Sequence, residues 1–316
     1  MSNESNQFIL YFAGAGTKGS SELKLELGCN QLYSQLNERH AIMKWVEYKK
    51  EHPANKGRLF VDSGAYSAYT KGKVIDVDDY IKLINEIAPW VEIFAQVDKI
   101  PQVIGREPTE EELAAAPAQS WENYLYMIKK VKPEYRDKIM PVFHFQEDPK
   151  WLHNMLEYTH EDGSHIPYIG LAVSTVDGAE VRHQWLEMCF DIIKISSNPN
   201  VKTHAFGMTA LAVLEDFPLT SSDSTTWVIA ASYGFIIVDK KTICVSDRRI
   251  HDNGNIWHQS IAVQEELDKK VQEFGFTLKE LAEDSNKRQL FNIMSMKKWE
   301  DTYIRKEKPA RKVALF

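Results

Sequence analysis

Short apolar runs recur along the chain, separated by longer stretches with helical periodicity. FILYFAG (8–14), RLFVDSGAY (58–66), WVEIFAQVD (90–98), DKIMPVFHF (137–145), YIGLAV (168–173), VKTHAFG (201–207) and PLTSSDS (218–224) each predict a strand. Helical spacing fills residues 38–51, 75–90, 121–131, 148–161, 178–196 and 209–217. Strands alternating with helices imply βα units around a parallel sheet. Seven strands are in place by Asp223, and YGFIIVD (233–239) offers another. That number within about 240 residues predicts the α/β class and a (β/α)8 TIM-like barrel, better than a doubly wound sheet. No GxGxxG follows the first run, only Gly14-Ala15-Gly16, so a dinucleotide fold loses ground. Residues 1–240 are assigned to the barrel. Residues 241–316 are assigned to a C-terminal helical appendage packed on it, with a hairpin in IIVDKKTICV, a loop at HDNGN and helices around 262–300.

Composition changes this picture little. The 316 residues are 43% hydrophobic and 11% aromatic, which suits a sizeable core, and no apolar run is long enough to cross a bilayer. The N-terminus has no basic stretch before its apolar run, so it reads as a tail and strand, and a cytoplasmic protein without a membrane partner is expected. Cys29, Cys189 and Cys244 are isolated, which gives neither a disulfide framework nor a Cys-rich zinc site. The formal net charge of −7 leaves no global basic field for nucleic acid. Basic residues cluster at 129–138 and 297–312. Each cluster reads as a solvated face or tail, or as a local phosphate-binding strip.

Chemistry in such a barrel sits where the strands end. The runs end in Asp62-Ser63-Gly64, Gln96-Val97-Asp98, His144-Phe145-Gln146, Gly170-Leu171-Ala172, His204-Ala205-Phe206-Gly207 and Ser222-Asp223. Each carboxylate alone suits a turn or a helix cap. Three at one mouth would repel and raise one another's pKa. Two converging carboxylates suit glycosidic cleavage, one attacking the anomeric carbon and the other moving the proton. A third can accept from the N–H groups of a base, and Tyr66 and Phe206 can stack on it or simply pack in the core. A mononuclear metal site of His144, His204 and Asp223 is the weaker alternative. GxSxG and P-loop motifs are missing.

These residues resemble the tRNA-guanine transglycosylase superfamily, closest to the phage and bacterial branch that puts 7-deazaguanines into DNA. The likeness covers residues 9–227. It rests on Asp62-Ser63-Gly64-Ala65-Tyr66, Asp98, the HFQ ending in Gln146, Gly170-Leu171-Ala172-Val173, Phe206-Gly207 and Asp223. The resemblance implies Asp223 as nucleophile and Asp62 as general acid/base. It implies a base read by Asp98, Gln146 and the Gly170–Leu171 backbone and sandwiched by Tyr66 and Phe206. Ser63, Gly64, His144 and Gly207 complete the implied substrate pocket. It implies no cofactor or metal, and as partners DNA and a free 7-deazaguanine base in a bacterial or phage-infected cell. Base exchange would pass through a covalent aspartyl-sugar intermediate, with the target flipped from the stack. The chain departs from the family at several points. Only Cys244 stands where tRNA-acting members carry three Cys and a His, so no zinc subdomain is expected. Ala65 replaces a second Gly, and Glu147-Asp148 replaces a Gly-Gly after the strand-four Gln, which alters the pocket. The alternatives are a DNA glycosylase that hydrolyses a modified base away, a tRNA-acting enzyme, a non-catalytic nucleobase-binding barrel and a metal-dependent hydrolase.

Overall fold

The computed structural model describes residues 8–100, 103, 105–173, 178–208 and 211–304, with backbone only at 211 and 212. Nine strand segments form one parallel sheet: β1 (Ile9–Ala13), β2 (Asn30–Ser34), β3 (Leu59–Asp62), β4 (Ile93–Ala95), β5 (Ile139–Met140), β6 (Val142–His144), β7 (Tyr168–Ala172), β8 (Lys202–Phe206) and β9 (Ser221–Ser224). Their order is β5-β4-β3-β2-β1-β9-β8-β7-β6. The two end strands, β5 and β6, are consecutive in the chain and separated only by Pro141, which has no N–H to give. Its carbonyl still accepts from the Gly170 N–H at 2.8 Å, and the Met140 carbonyl accepts from Gln96 at 3.0 Å. The ladder therefore runs round nearly without a break, and the segments make the staves of a nearly closed barrel compatible with the TIM-like architecture.

Alternation along each strand builds two layers. Tyr11, Leu32, Phe60, Ile93, Ala95, Met140, Val142 and Tyr168 fill the interior. Leu10, Phe12, Tyr33, Val61, Phe94, Phe143, Ile169 and Leu171 face outward into a larger core shared with the helices. These helices are α1 (Lys18–Glu26), α2 (Arg39–Glu51), α3 (Ala65–Lys71), α4 (Val77–Ile87), α5 (Glu110–Lys130), α6 (Lys150–Glu157), α7 (Ala179–Ile195), α8 (Leu211–Asp216) and α9 (Thr226–Ser232). The start of α5 is fixed by a capping box of Thr109 and Glu112, so this helix begins well before residue 121.

Two expectations about the staves are corrected. The stretch 233–239 is not a barrel strand. β10 (Phe235–Val238) instead pairs antiparallel with β11 (Lys241–Cys244), through Asp239 and Lys240 at φ 47° and 68°. That is the hairpin expected in IIVDKKTICV, closed by a two-residue turn of left-handed residues. The missing stave is β2, NQLYS, whose polar letters hide it. Its Asn30 and Gln31 are buried and hydrogen-bonded rather than exposed. Among the described residues, no helix is long and apolar enough to cross a membrane.

Beyond the hairpin lie α10 (Ile261–Gln272), α11 (Leu278–Glu283) and α12 (Ser285–Thr302). Ile236, Val238, Val245, Leu267, Val271 and Phe291 form a small cluster of their own. Ile293 and Met296 of α12, however, belong to the main core. Glu300 Oε1 accepts from the Leu10 N–H at 2.8 Å and from Asn30 Nδ2 at 2.7 Å, which ties the end of α12 to β1 and β2.

Candidate active site

A parallel barrel brings the C-terminal ends of all its strands to one mouth. Asp62 is the last residue of β3 and lies on the interior face with Phe60. Its Oδ2 accepts from the Gly64 N–H at 2.9 Å. Gly64 sits at φ +86°, and a Cβ there would come 2.6 Å from Leu36 Cβ and 2.7 Å from Ser34 Oγ. Both the backbone and the space demand glycine. Gly64→Ala is therefore expected to lower the thermal midpoint by several degrees, as a melting curve would show. A wild-type midpoint would contradict the fit described for Gly64. The Asp62 carboxyl is pushed up from 3.8 to about 7. Burial is the largest cause, and the charges of Asp98, Asp223 and Glu38 add to it against the Gly64 bond. The fields of Asp98 and Asp223 thus reach Asp62, as expected for groups sharing one mouth.

Asp98 follows β4 and is held by His144, the last residue of β6. Asp98 Oδ2 lies 2.7 Å from His144 Nε2. His144 Nδ1 lies 3.0 Å from Glu147 Oε1, and the His144 N–H donates to Glu147 Oε2 at 3.0 Å. Burial alone would lower the imidazole pKa. The bonds to two carboxylates outweigh it and push the value to about 10, so this ring is an imidazolium at neutral pH. Ser63 is fully buried, with its Oγ 3.5 Å from Asp98 Oδ1.

Asp223 lies on β9, interior and nearly buried. Its Oδ1 accepts from the Gly207 N–H at 2.7 Å and lies 3.3 Å from His204 Nε2. Gly207 has φ +62°, which turns the chain after β8 so that its N–H faces the carboxylate. Among the described residues, Oδ2 of Asp223 accepts no hydrogen bond.

The other expected pocket residues divide. Phe206 is partly buried beside His204, ring centroids 4.6 Å apart. Tyr66, on α3, is 64% exposed, so it does not pack in the core, and its ring lies 6.5 Å from that of Tyr69 rather than against Phe206. Gln146 is exposed at φ 71°, and that left-handed turn carries the buried Glu147 back under His144. Both ring nitrogens of His144 are engaged by carboxylates, which leaves it no free nitrogen for a base. The Gly170 N–H is already bonded to Pro141, and Leu171 faces the outer core. Gly170 has a packing role instead: a Cβ there would come 2.8 Å from Phe206 Cε2.

Glu147 as a partner of His144, and Ser221 and Tyr168 below His204, were not among the expected site residues. The only signal for Glu147 was its departure from Gly-Gly. A joint metal site of His144, His204 and Asp223 is not what the side chains form. His144 is tied to Asp98 and Glu147 and His204 to Asp223, and no group of three or more ligating side chains is poised for a metal among the described residues. The basic strip 129–138 leads into β5, so it lies at the opposite end of the barrel from the mouth. There Lys129 and Arg136 help to line a cavity of about 560 Å³ with Tyr158 and His160. No protein-family model matches the chain, and no curated protein matches it.

Proposed function

We propose that this protein is a base-exchanging transglycosylase that replaces guanine in DNA with a 7-deazaguanine derivative such as 7-cyano-7-deazaguanine. The observation that carries the reading is the contrast between two carboxyl groups at one mouth. Asp62 holds its proton up to about pH 7, whereas Asp223 accepts from the Gly207 N–H at an oxygen that also lies 3.3 Å from His204 Nε2. A proton donor beside a hydrogen-bonded carboxylate is what cleavage of an N-glycosidic bond requires.

In this reading the flipped guanine enters beside Phe206. Asp98, charge-balanced and oriented by His144, accepts from the N1–H and N2–H of the base. Asp62 gives its proton to the departing base as the C1′–N9 bond breaks, and Asp223 Oδ2 bonds to C1′. The free 7-deazaguanine then attacks C1′ through N9. Its N9 proton goes to Asp62 as the aspartyl–C1′ bond breaks. Atoms and charge balance without a further reactant.

The test is incubation of the protein with DNA and labelled 7-cyano-7-deazaguanine, followed by digestion and nucleoside analysis. We expect label in a deoxynucleoside and release of guanine in equal amount. Abasic sites without incorporated label would instead establish hydrolysis, and label entering RNA but not DNA would move the substrate to tRNA.

A further inference from the structure

Below Asp223 a string of polar side chains runs down the barrel interior across β9, β8 and β7. His204 Nε2 lies 3.3 Å from Asp223 Oδ1, and its Nδ1 lies 2.6 Å from Ser221 Oγ. Ser221 Oγ lies 2.7 Å from the Tyr168 hydroxyl. His204 and Ser221 are fully buried, with the rings of Phe60 and Phe206 at 4.7 and 4.6 Å from the imidazole. In such surroundings an unpaired hydrogen is costly, so the direction of the string matters.

Only one direction satisfies every hydrogen. Burial holds the Tyr168 phenol above its ordinary pKa, so it keeps its proton and donates to Ser221. Ser221 then donates its own hydrogen to Nδ1 of His204. With Nδ1 an acceptor, the proton of the neutral ring sits on Nε2 and points at Asp223. The reverse direction would strand the Tyr168 hydrogen. It would also set a nitrogen lone pair against a carboxylate oxygen.

We propose that His204 is a positioning residue for Asp223, with Tyr168 and Ser221 fixing its Nε2–H tautomer, so that Oδ1 is tied down and Oδ2 is presented to the sugar. The tautomer stands on the string alone, whereas the presentation to a sugar rests on the glycosyl-transfer reading. A carboxylate held by a single donor can turn about its Cβ–Cγ bond. A second donor limits that turn, which helps a reaction that needs one oxygen on line with C1′.

The experiment is a long-range proton–nitrogen correlation spectrum of the resting protein labelled with 15N-histidine, repeated on Asp223→Asn and Ser221→Ala. We expect a neutral His204 at pH 7 with hydrogen on Nε2 and none on Nδ1. The Nε2–H resonance should move in Asp223→Asn, and the tautomers should mix in Ser221→Ala. An Nδ1–H tautomer, a doubly protonated ring, or a spectrum indifferent to both substitutions would overturn the proposal. Kinetics supply the second arm. His204→Phe should lower kcat about 30-fold with KM for DNA within about two-fold. His204→Gln, whose amide N–H reaches toward the place of Nε2, should recover most of that loss. Equal kcat in His204→Phe and wild type would overturn the positioning role. A wild-type protein without exchange activity would sink the glycosyl-transfer reading, yet the tautomer would still be read from the spectrum.

Discussion

Asp223→Asn is expected to abolish base exchange, with a fall in kcat of at least ~10³-fold, equivalent to about 4 kcal/mol of barrier. The neutral amide is a poor nucleophile toward an anomeric carbon. Its oxygen can still accept from Gly207 and His204, so the fold should persist. A thermal midpoint close to wild type together with lost exchange is the expected pair of results. Exchange at more than a tenth of the wild-type rate would remove Asp223 from the role of nucleophile.

Asp62→Asn should separate stability from activity. The folded protein binds the Asp62 proton up to about pH 7, against an ordinary value of 3.8. The stability linked to this group is therefore complete below about pH 4 and is lost as pH rises through about 7. A shift of that size corresponds to about 4 kcal/mol as an upper bound. Asparagine carries no such ionisation, and its oxygen can keep the Gly64 bond. We expect Asp62→Asn and wild type to melt alike near pH 4, and the variant to melt several degrees higher at pH 8. Activity should fall by ~10²- to 10⁴-fold, the usual contribution of a general acid. For the wild type, the first half-reaction should slow above about pH 7 as Asp62 ionises. A variant that is less stable than wild type at pH 8 would show that Asp62 is not strained by its surroundings. One that retains full rate would show that the proton comes from elsewhere.

The barrel was legible in the sequence because buried parallel strands are short apolar runs, and seven of them could be read directly. β2 was not, because NQLYS has the letters of a surface segment, and what lets Asn30 be buried is a contact that only the tertiary fold supplies, its bond to Glu300. The opposite error came from FIIV, which has the letters of a stave. What decides its fate is the pair Asp239 and Lys240 in left-handed conformations, a turn that sends it back on itself. Asp62, Asp98 and Asp223 could be picked out because a parallel strand delivers its last residue to the mouth. Gly64, His144 and Gly207, which hold these carboxylates, stood in the same strand-end segments; Glu147 and the residues below His204 did not. Glu147 reaches His144 through a left-handed Gln146, where a helix or strand pattern gives no hint. Ser221, Tyr168 and His204 meet because the neighbouring strands β7, β8 and β9 pair in a register that turns all three side chains to one interior face.

The most direct test of the chemistry is the mass of the protein itself. It is mixed with a guanine-containing DNA oligonucleotide in the absence of any acceptor base, quenched in acid and measured intact, then digested and mapped. We expect a shifted species equal to protein plus oligonucleotide minus guanine, with the attachment on the peptide that carries Asp223. Attachment at Asp62 or Asp98, or guanine release with no shifted species under any quench, would contradict a covalent role for Asp223.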